Sequence, residues 1–306
     1  MIKTIKNGVY PTMITPYTKD NKIDYNAVEG ILNFYADHGC DGVFAICQSS
    51  EIFFLSFEER LELLRFVMKH APKGLDIVAS GHTAEDLDRQ IYEANAFINE
   101  GIDAYVFIAN RFAAEDEDDS VFLTRYEKMV KSIPEVALGI YECPYPYKRL
   151  MMPDTLRKCA EMSPLRFIKD TCCSTPMIEQ KIKASEGTGL GLFNANGATL
   201  LKSLKMGAAG YSGVMGNFHP EIYSWLCKNW QTQPEKAEKV QNFLGFVSTV
   251  ECQAYPVSAK YHMNLCGVPM EIACRNADAS KFGESRQLEI DQMFYVENEF
   301  KKLMGI

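Results

Sequence analysis

Apolar positions along the first two-thirds of the chain follow two alternating rhythms. Short runs rich in β-branched and aromatic residues recur at 8–17, 42–48, 76–81, 104–109, 137–143, 165–171, 191–195 and 209–214. The stretches between them carry apolar residues at helical spacing. Val28, Ile31, Leu32 and Tyr35 fall on one face of NAVEGILNFYADHG. SFEERLELLRFVMKHAPKG opens with Ser56 as a cap, has Glu59 three residues on, and carries Gly74 past the expected helix end. Strand–helix alternation predicts parallel pairing, because each helix supplies the crossover. Eight such units predict a closed (β/α)8 TIM barrel. The alternative is an open doubly wound sheet, but no G-x-G-x-x-G phosphate loop follows the first run. Beyond residue 232 the strand-like runs stop at the polar break QTQPEK. Helical patterns over 234–250, 254–264 and 286–304 then predict a small C-terminal helical domain, 233–306, behind a catalytic barrel domain, 1–232.

Charge and cysteine usage narrow the function classes. The net charge of −8 over 306 residues lacks the basic face of a nucleic-acid binder. No run of 18 apolar residues exists, so no membrane span is expected. MIKTIKNGVYPT has no apolar signal core, so export is not expected. Ten cysteines are scattered without a C-x-x-C, and five histidines stand far apart. This predicts a reduced, cytoplasmic protein with no metal and no cofactor, its thiols serving as small core residues. Cys143 and Cys172 remain candidates for a reactive thiol.

LRFIKDTCCS places Lys169 at the C-terminal end of the sixth run. A lone lysine there ordinarily ends a strand and reaches water. A barrel changes that expectation, because its strand C-termini converge on the face where chemistry sits. Tyr141, in GIYECP, ends the fifth run. Adjacent strands lie about 4.8 Å apart, so the two side chains meet if both point inward. A lysine desolvated in a barrel mouth has a lowered pKa and a free amine. Such an amine attacks a carbonyl to form a Schiff base, and a neighbouring tyrosine can carry protons.

At these residues the chain resembles the dihydrodipicolinate synthase and N-acetylneuraminate lyase family of class I aldolases. GVYPTMITPYTKDNKIDYNAV is similar to that family's opening strand and first helix. CQSSEIFFLSFEER sits at its G-S/T-T-G-E, GIYECPY at its Y-N-x-P, and FIKDTCCS at its lysine motif. GAAGYSGVMGNFHPE and YPVSAKYHMNLCGVP resemble two later motifs in the same order. The resemblance implies a (β/α)8 barrel with a helical tail, assembled as a homotetramer or homodimer. It implies a Schiff-base lysine at Lys169 and a proton-handling tyrosine at Tyr141. It also implies that Gln48 and Ser49 hold the carboxylate of a 2-oxo acid, usually pyruvate, and it brings Ser212 to the pocket.

The departures cluster in the mouth. Gln48 stands where the family has a relay hydroxyl, and Phe112 where a neighbouring subunit donates a relay tyrosine. Pro146 replaces the arginine that binds the second substrate of the synthases. Gly197 and Ala198 replace the acid pair of sialic acid lyases. New cations appear at Arg111, Lys148 and Arg149, and Tyr145 and Tyr147 add aromatic surface. Arg111, Tyr147 and Asn196 are therefore expected to join the substrate pocket. A solvated rim for the cations and a turn role for Asn196 are the alternatives. Glu51 reads as a buried structural acid, and EDEDD at 115–119 as a solvated helix entry. The expected function is a Schiff-base lyase or aldolase acting on a pyruvate-type 2-oxo acid, neither a typical dihydrodipicolinate synthase nor a typical sialic acid lyase. The alternatives are a sugar-acid dehydratase of the same family, or a catalytically silent 2-oxo acid sensor.

Overall fold

The computed structural model describes residues 2–306. Eight parallel strands form the barrel: β1 (Gly8–Val9), β2 (Gly42–Phe44), β3 (Asp76–Ala79), β4 (Ala104–Ile108), β5 (Ala137–Tyr141), β6 (Leu165–Asp170), β7 (Gly191–Asn194) and β8 (Gly210–Tyr211). From β2 to β8 each strand pairs with its sequence neighbour, and β1 pairs with β8. A single parallel bridge, Thr12 to Phe44, joins the β1 segment to β2 and closes the ring. The helices between strands are α1 (Tyr25–Asp37), α2 (Phe57–His70), α3 (Leu87–Ile98), α4 (Asp119–Lys131), α5 (Pro153–Met162), α6 (Thr175–Ala184), α7 (Leu200–Lys205) and α8 (Pro220–Asn229). Three further helices follow: α9 (Pro234–Glu251), α10 (Val257–Leu265) and α11 (Glu284–Met304). The predicted TIM barrel is thus the observed fold. No helix among the described residues is long and apolar enough to cross a membrane.

Local rules explain most boundaries. α2 starts at the expected capping box, with Glu59 N–H donating to Ser56 Oγ at 3.1 Å and Ser56 N–H donating to Glu59 Oε2 at 2.9 Å. Val28, Ile31, Leu32 and Tyr35 of α1 are all fully buried. The first run, predicted as a strand over 8–17, is regular only at Gly8–Val9. Pro11 has no N–H to donate, so beyond Tyr10 the segment pairs only through isolated bonds such as Met13 N–H to Phe44 O, 3.0 Å. Gly8 and Gly210 lie side by side where β1 meets β8. A Cβ on Gly210 would fall 1.8 Å from the Gly8 carbonyl oxygen, so closure there requires glycine.

The barrel interior below the mouth is aromatic. Phe167 stacks on Phe193 with ring centres 4.5 Å apart, and Tyr10 packs edge-on against both at 5.6 and 5.0 Å. Phe44 reaches Phe167 at 6.1 Å and Tyr141 at 5.8 Å. Phe167 lies two residues before Lys169, on the same face of β6. The lysine therefore stands directly on an apolar floor.

Candidate active site

β5 and β6 pair in register so that Tyr141 sits opposite Lys169. Both point into the barrel mouth, and Lys169 Nζ lies 4.2 Å from the centre of the Tyr141 ring. Lys169 is 3% exposed. No carboxylate among the described residues pairs with it; the groups that act on its charge are the Cys47 and Cys143 thiols. Burial pulls the Lys169 pKa down to about 8, against a small upward pull from those thiols. Tyr141 is pushed well above its ordinary value by burial, so its phenol stays neutral.

The loop after β2 supplies the facing wall. Tyr141 hydroxyl donates to Gln48 Oε1 at 3.0 Å, and the Cys143 thiol reaches the same oxygen at 3.5 Å. Ser49 Oγ donates to Thr12 Oγ1 at 3.0 Å. The Tyr255 hydroxyl joins these two hydroxyls from the C-terminal region and receives the Asn217 amide at 3.1 Å. A cavity of about 620 Å³ opens above Lys169 and Tyr141. Gln48, Ser49 and Asn196 line it as expected, and so do Thr171, Tyr255 and Asn276. Lys148 and Lys169 are its charged lining groups among the described residues, and no described carboxylate lines it. No group of three or more His, Cys, Asp or Glu among the described residues is arranged to hold a metal ion.

Several expected residues stand elsewhere. Arg111 does not line the cavity; its guanidinium lies over the Phe53 ring at 5.3 Å. Tyr147 is also outside, its hydroxyl bonded to the carbonyls of Asn110 (3.0 Å) and Ala113. Arg149 ties the preceding loop to α4 through Asp119, 2.7 Å. Ser212 is fully buried below the lining, its hydroxyl without a partner. Asn196 faces the cavity and also caps a turn, accepting from Ala198 N–H at 2.9 Å. Phe112 is fully buried against His82, Phe107 and Phe122, with centroids at 4.6, 5.2 and 5.2 Å. It cannot serve a neighbouring subunit, because core aromatics enclose it on every side described. Tyr255, which no sequence motif marks as part of the site, also lines the cavity. It lies in YPVSAK, a segment that only the fold brings back over the barrel.

Glu51 is the buried structural acid expected. It pairs with buried Lys260 at 3.3 Å and accepts from the backbone of Arg275 and Asn276 at 2.5 and 2.8 Å. The loop that carries Gln48 and Ser49 is thereby tied to the segment that carries Asn276. Lys260→Met leaves the Glu51 charge buried without its cation. This change should cost about 3–5 kcal/mol in a denaturant titration. A loss below ~1 kcal/mol would show that the backbone donors suffice.

The family of the chain follows from comparison with known proteins. The Dihydrodipicolinate synthetase family model matches residues 6–291. The 4-hydroxy-tetrahydrodipicolinate synthase of Laribacter hongkongensis is 21% identical over 287 residues, covering 91% of this chain and 95% of that protein. The corresponding protein of Wigglesworthia glossinidia brevipalpis is 22% identical over 265 residues, covering 85% and 87%. Among solved structures, YagE, a prophage protein of this family from E. coli K12 in complex with pyruvate, superposes with a TM-score of 0.84. It is 20% identical and covers 96% of this chain and 98% of its own. The 4-hydroxy-tetrahydrodipicolinate synthase of Methylacidiphilum fumariolicum SolV gives a TM-score of 0.86 at 19% identity, with 98% of each chain covered. At these identities the structural likeness speaks to fold alone. Fold and family model together define a class I, Schiff-base-forming carbon–carbon lyase. The chain belongs to the dihydrodipicolinate synthetase family.

Proposed function

We propose that the protein makes or breaks the carbon–carbon bond between the α-carbon of a pyruvate-type 2-oxo acid (the methyl carbon of pyruvate) and the carbon beyond it, through an imine at Lys169. The free amine adds to the keto carbon, and loss of water leaves an iminium that takes up the electrons of the bond between the α-carbon and its outer neighbour, leaving an enamine. Tyr141, neutral and held beside the amine, delivers and recovers the proton. Ser49 and the turn at Gln48 hold the substrate carboxylate. The observation that carries this reading is a buried lysine with no carboxylate partner, resting on an aromatic floor.

The rest of the cavity supports a substrate other than those of the named relatives. Pro146, Gly197 and Ala198 offer neither the cation nor the acids that the resemblance calls for. A volume of about 620 Å³ falls within the range of about 300–1,000 Å³ that accommodates drug-sized ligands. Lys148, the lining cation besides the reacting Lys169, and the absence of a carboxylate among the described lining residues favour an anionic second portion. A homo-oligomer in the cytoplasm is the setting the family resemblance implies. One observation favours the silent sensor as a second reading: Tyr141 donates to an amide oxygen, which has no proton to pass on.

The test is incubation with pyruvate and a panel of other 2-oxo acids, followed by borohydride and peptide mass spectrometry. A reduced adduct confined to Lys169, together with product, is expected. An adduct without turnover would establish the sensor, and no adduct with any 2-oxo acid would overturn both.

A further inference from the structure

Behind the mouth, on the outer face of the barrel wall, sits a fully buried ion triad. Lys181 of α6 contacts Glu142 Oε1, and its Nζ lies 2.6 Å from Asp170 Oδ2. All three side chains have zero exposure. Glu142 directly follows Tyr141, and Asp170 directly follows Lys169. Consecutive strand residues point to opposite faces, so each acid is the outward neighbour of an inward functional residue. The acids also hold the strand ends beyond the regular ladder. Glu142 Oε2 accepts from Thr171 N–H at 2.8 Å and Oε1 accepts from Met151 N–H at 2.7 Å. Thr171 Oγ1 returns to the Glu142 carbonyl at 2.7 Å, and Asp170 Oδ1 accepts from Cys172 N–H at 3.1 Å.

We infer that Lys181 is a positioning residue, whose ammonium clamps Glu142 and Asp170 so that Tyr141, Lys169 and the cavity-lining Thr171 keep their mutual geometry. The clamp is needed because the β5–β6 ladder ends with the Tyr141–Lys169 pair itself. Past that pair a single backbone bond, Glu142 N–H to Lys169 O at 3.3 Å, joins the two strands, and the remaining ties there run through Glu142 and Thr171. Two buried carboxylates without their cation repel each other and draw in water. Either response rotates or separates the strand ends that aim the amine at the phenol. A displacement of about 1 Å at a reacting group can cost about 10²-fold in rate. No group of the triad lines the cavity, so its influence runs through the neighbours.

The inference rests on Lys169 as the imine-forming residue, and the experiment separates the two. Asp170→Asn, Glu142→Gln and Lys181→Met are compared with the unmodified protein. Each is assayed for the rate of borohydride-trapped pyruvate adduct against pyruvate concentration, well below its own Tm. For Asp170→Asn the maximal trapping rate is expected to fall at least fivefold, with half-saturation within about twofold of the unmodified protein. Lys181→Met is expected to fall further. A clamp that served stability alone would lower Tm and leave the trapping rate of the folded protein unchanged, and that result overturns the inference. If Lys181→Met does not fold, the two milder variants decide. Failure of the unmodified protein to trap pyruvate or any other 2-oxo acid removes the reading and the inference together. Trapping at the unmodified rate in both Asp170→Asn and Glu142→Gln removes the inference alone.

Discussion

Lys169→Met is expected to abolish adduct formation and turnover while making the protein more stable. The two effects have one cause. Lys169 is 3% exposed on an aromatic floor, and burial brings its pKa down to about 8. At pH 7 about one lysine in ten then carries a free amine, against about one in 2,500 for an unperturbed side chain. That gain in nucleophile is lost entirely in the variant. Imine formation in the unmodified protein should rise with pH and level off above about 8. The stability consequence has the opposite sign. The folded pKa lies below the unfolded one, so between them the unfolded chain binds a proton that the folded chain does not. The destabilisation is fully present below pH 8 and fades as pH rises toward the unfolded value. Removing the ammonium should therefore return about 3 kcal/mol at pH 7 and raise Tm by several degrees. The advantage of the variant should shrink toward pH 10. Differential scanning calorimetry at three pH values checks this. An unchanged or lower Tm at pH 7 would mean that the ammonium is not desolvated as read.

Tyr141→Phe should lower turnover by about 10²–10⁴-fold with little change in stability. Phenylalanine keeps the ring that packs against Phe44 at 5.8 Å and lies 4.2 Å from Lys169 Nζ. Only the hydroxyl and its bond to Gln48 Oε1 are lost, worth about 1 kcal/mol. The thiol of Cys143 still faces that oxygen. Adduct formation should slow but remain detectable, because the nucleophile is untouched. Single-turnover trapping and steady-state cleavage measured side by side separate the steps. A loss below threefold in both would place the proton transfer on another group, such as the hydroxyls of Ser49, Thr171 or Tyr255 in the cavity wall.

Much of this was present in the order of residues. Alternation of strand and helix patterns is a local property, and it specified eight βα units with parallel pairing, because each helix supplies the crossover. The position of Lys169 and Tyr141 at strand ends was enough to bring them together, since parallel strands in one register face their ends the same way. Glu51 was legible as a buried acid, although its partner Lys260, 209 residues away, was not. Arg111 and Tyr147 show where such reading stops. Both lie in loops near the mouth, and whether a loop side chain turns inward depends on what it packs against. Phe53 draws the Arg111 guanidinium aside, and the carbonyls of Asn110 and Ala113 capture the Tyr147 hydroxyl.

The chain alone thus determined the barrel, the amine and its neighbouring phenol, because periodicity and strand polarity are set by nearest neighbours along the backbone. Tertiary structure alone decided which polar groups share the cavity. It brought Tyr255 and Asn276 over the mouth and buried Phe112 and Ser212 away from it. It also placed Lys181 between the two acids behind the site. Those outcomes depend on which distant surfaces compete to cover each side chain, and that competition is settled only when the whole chain has packed.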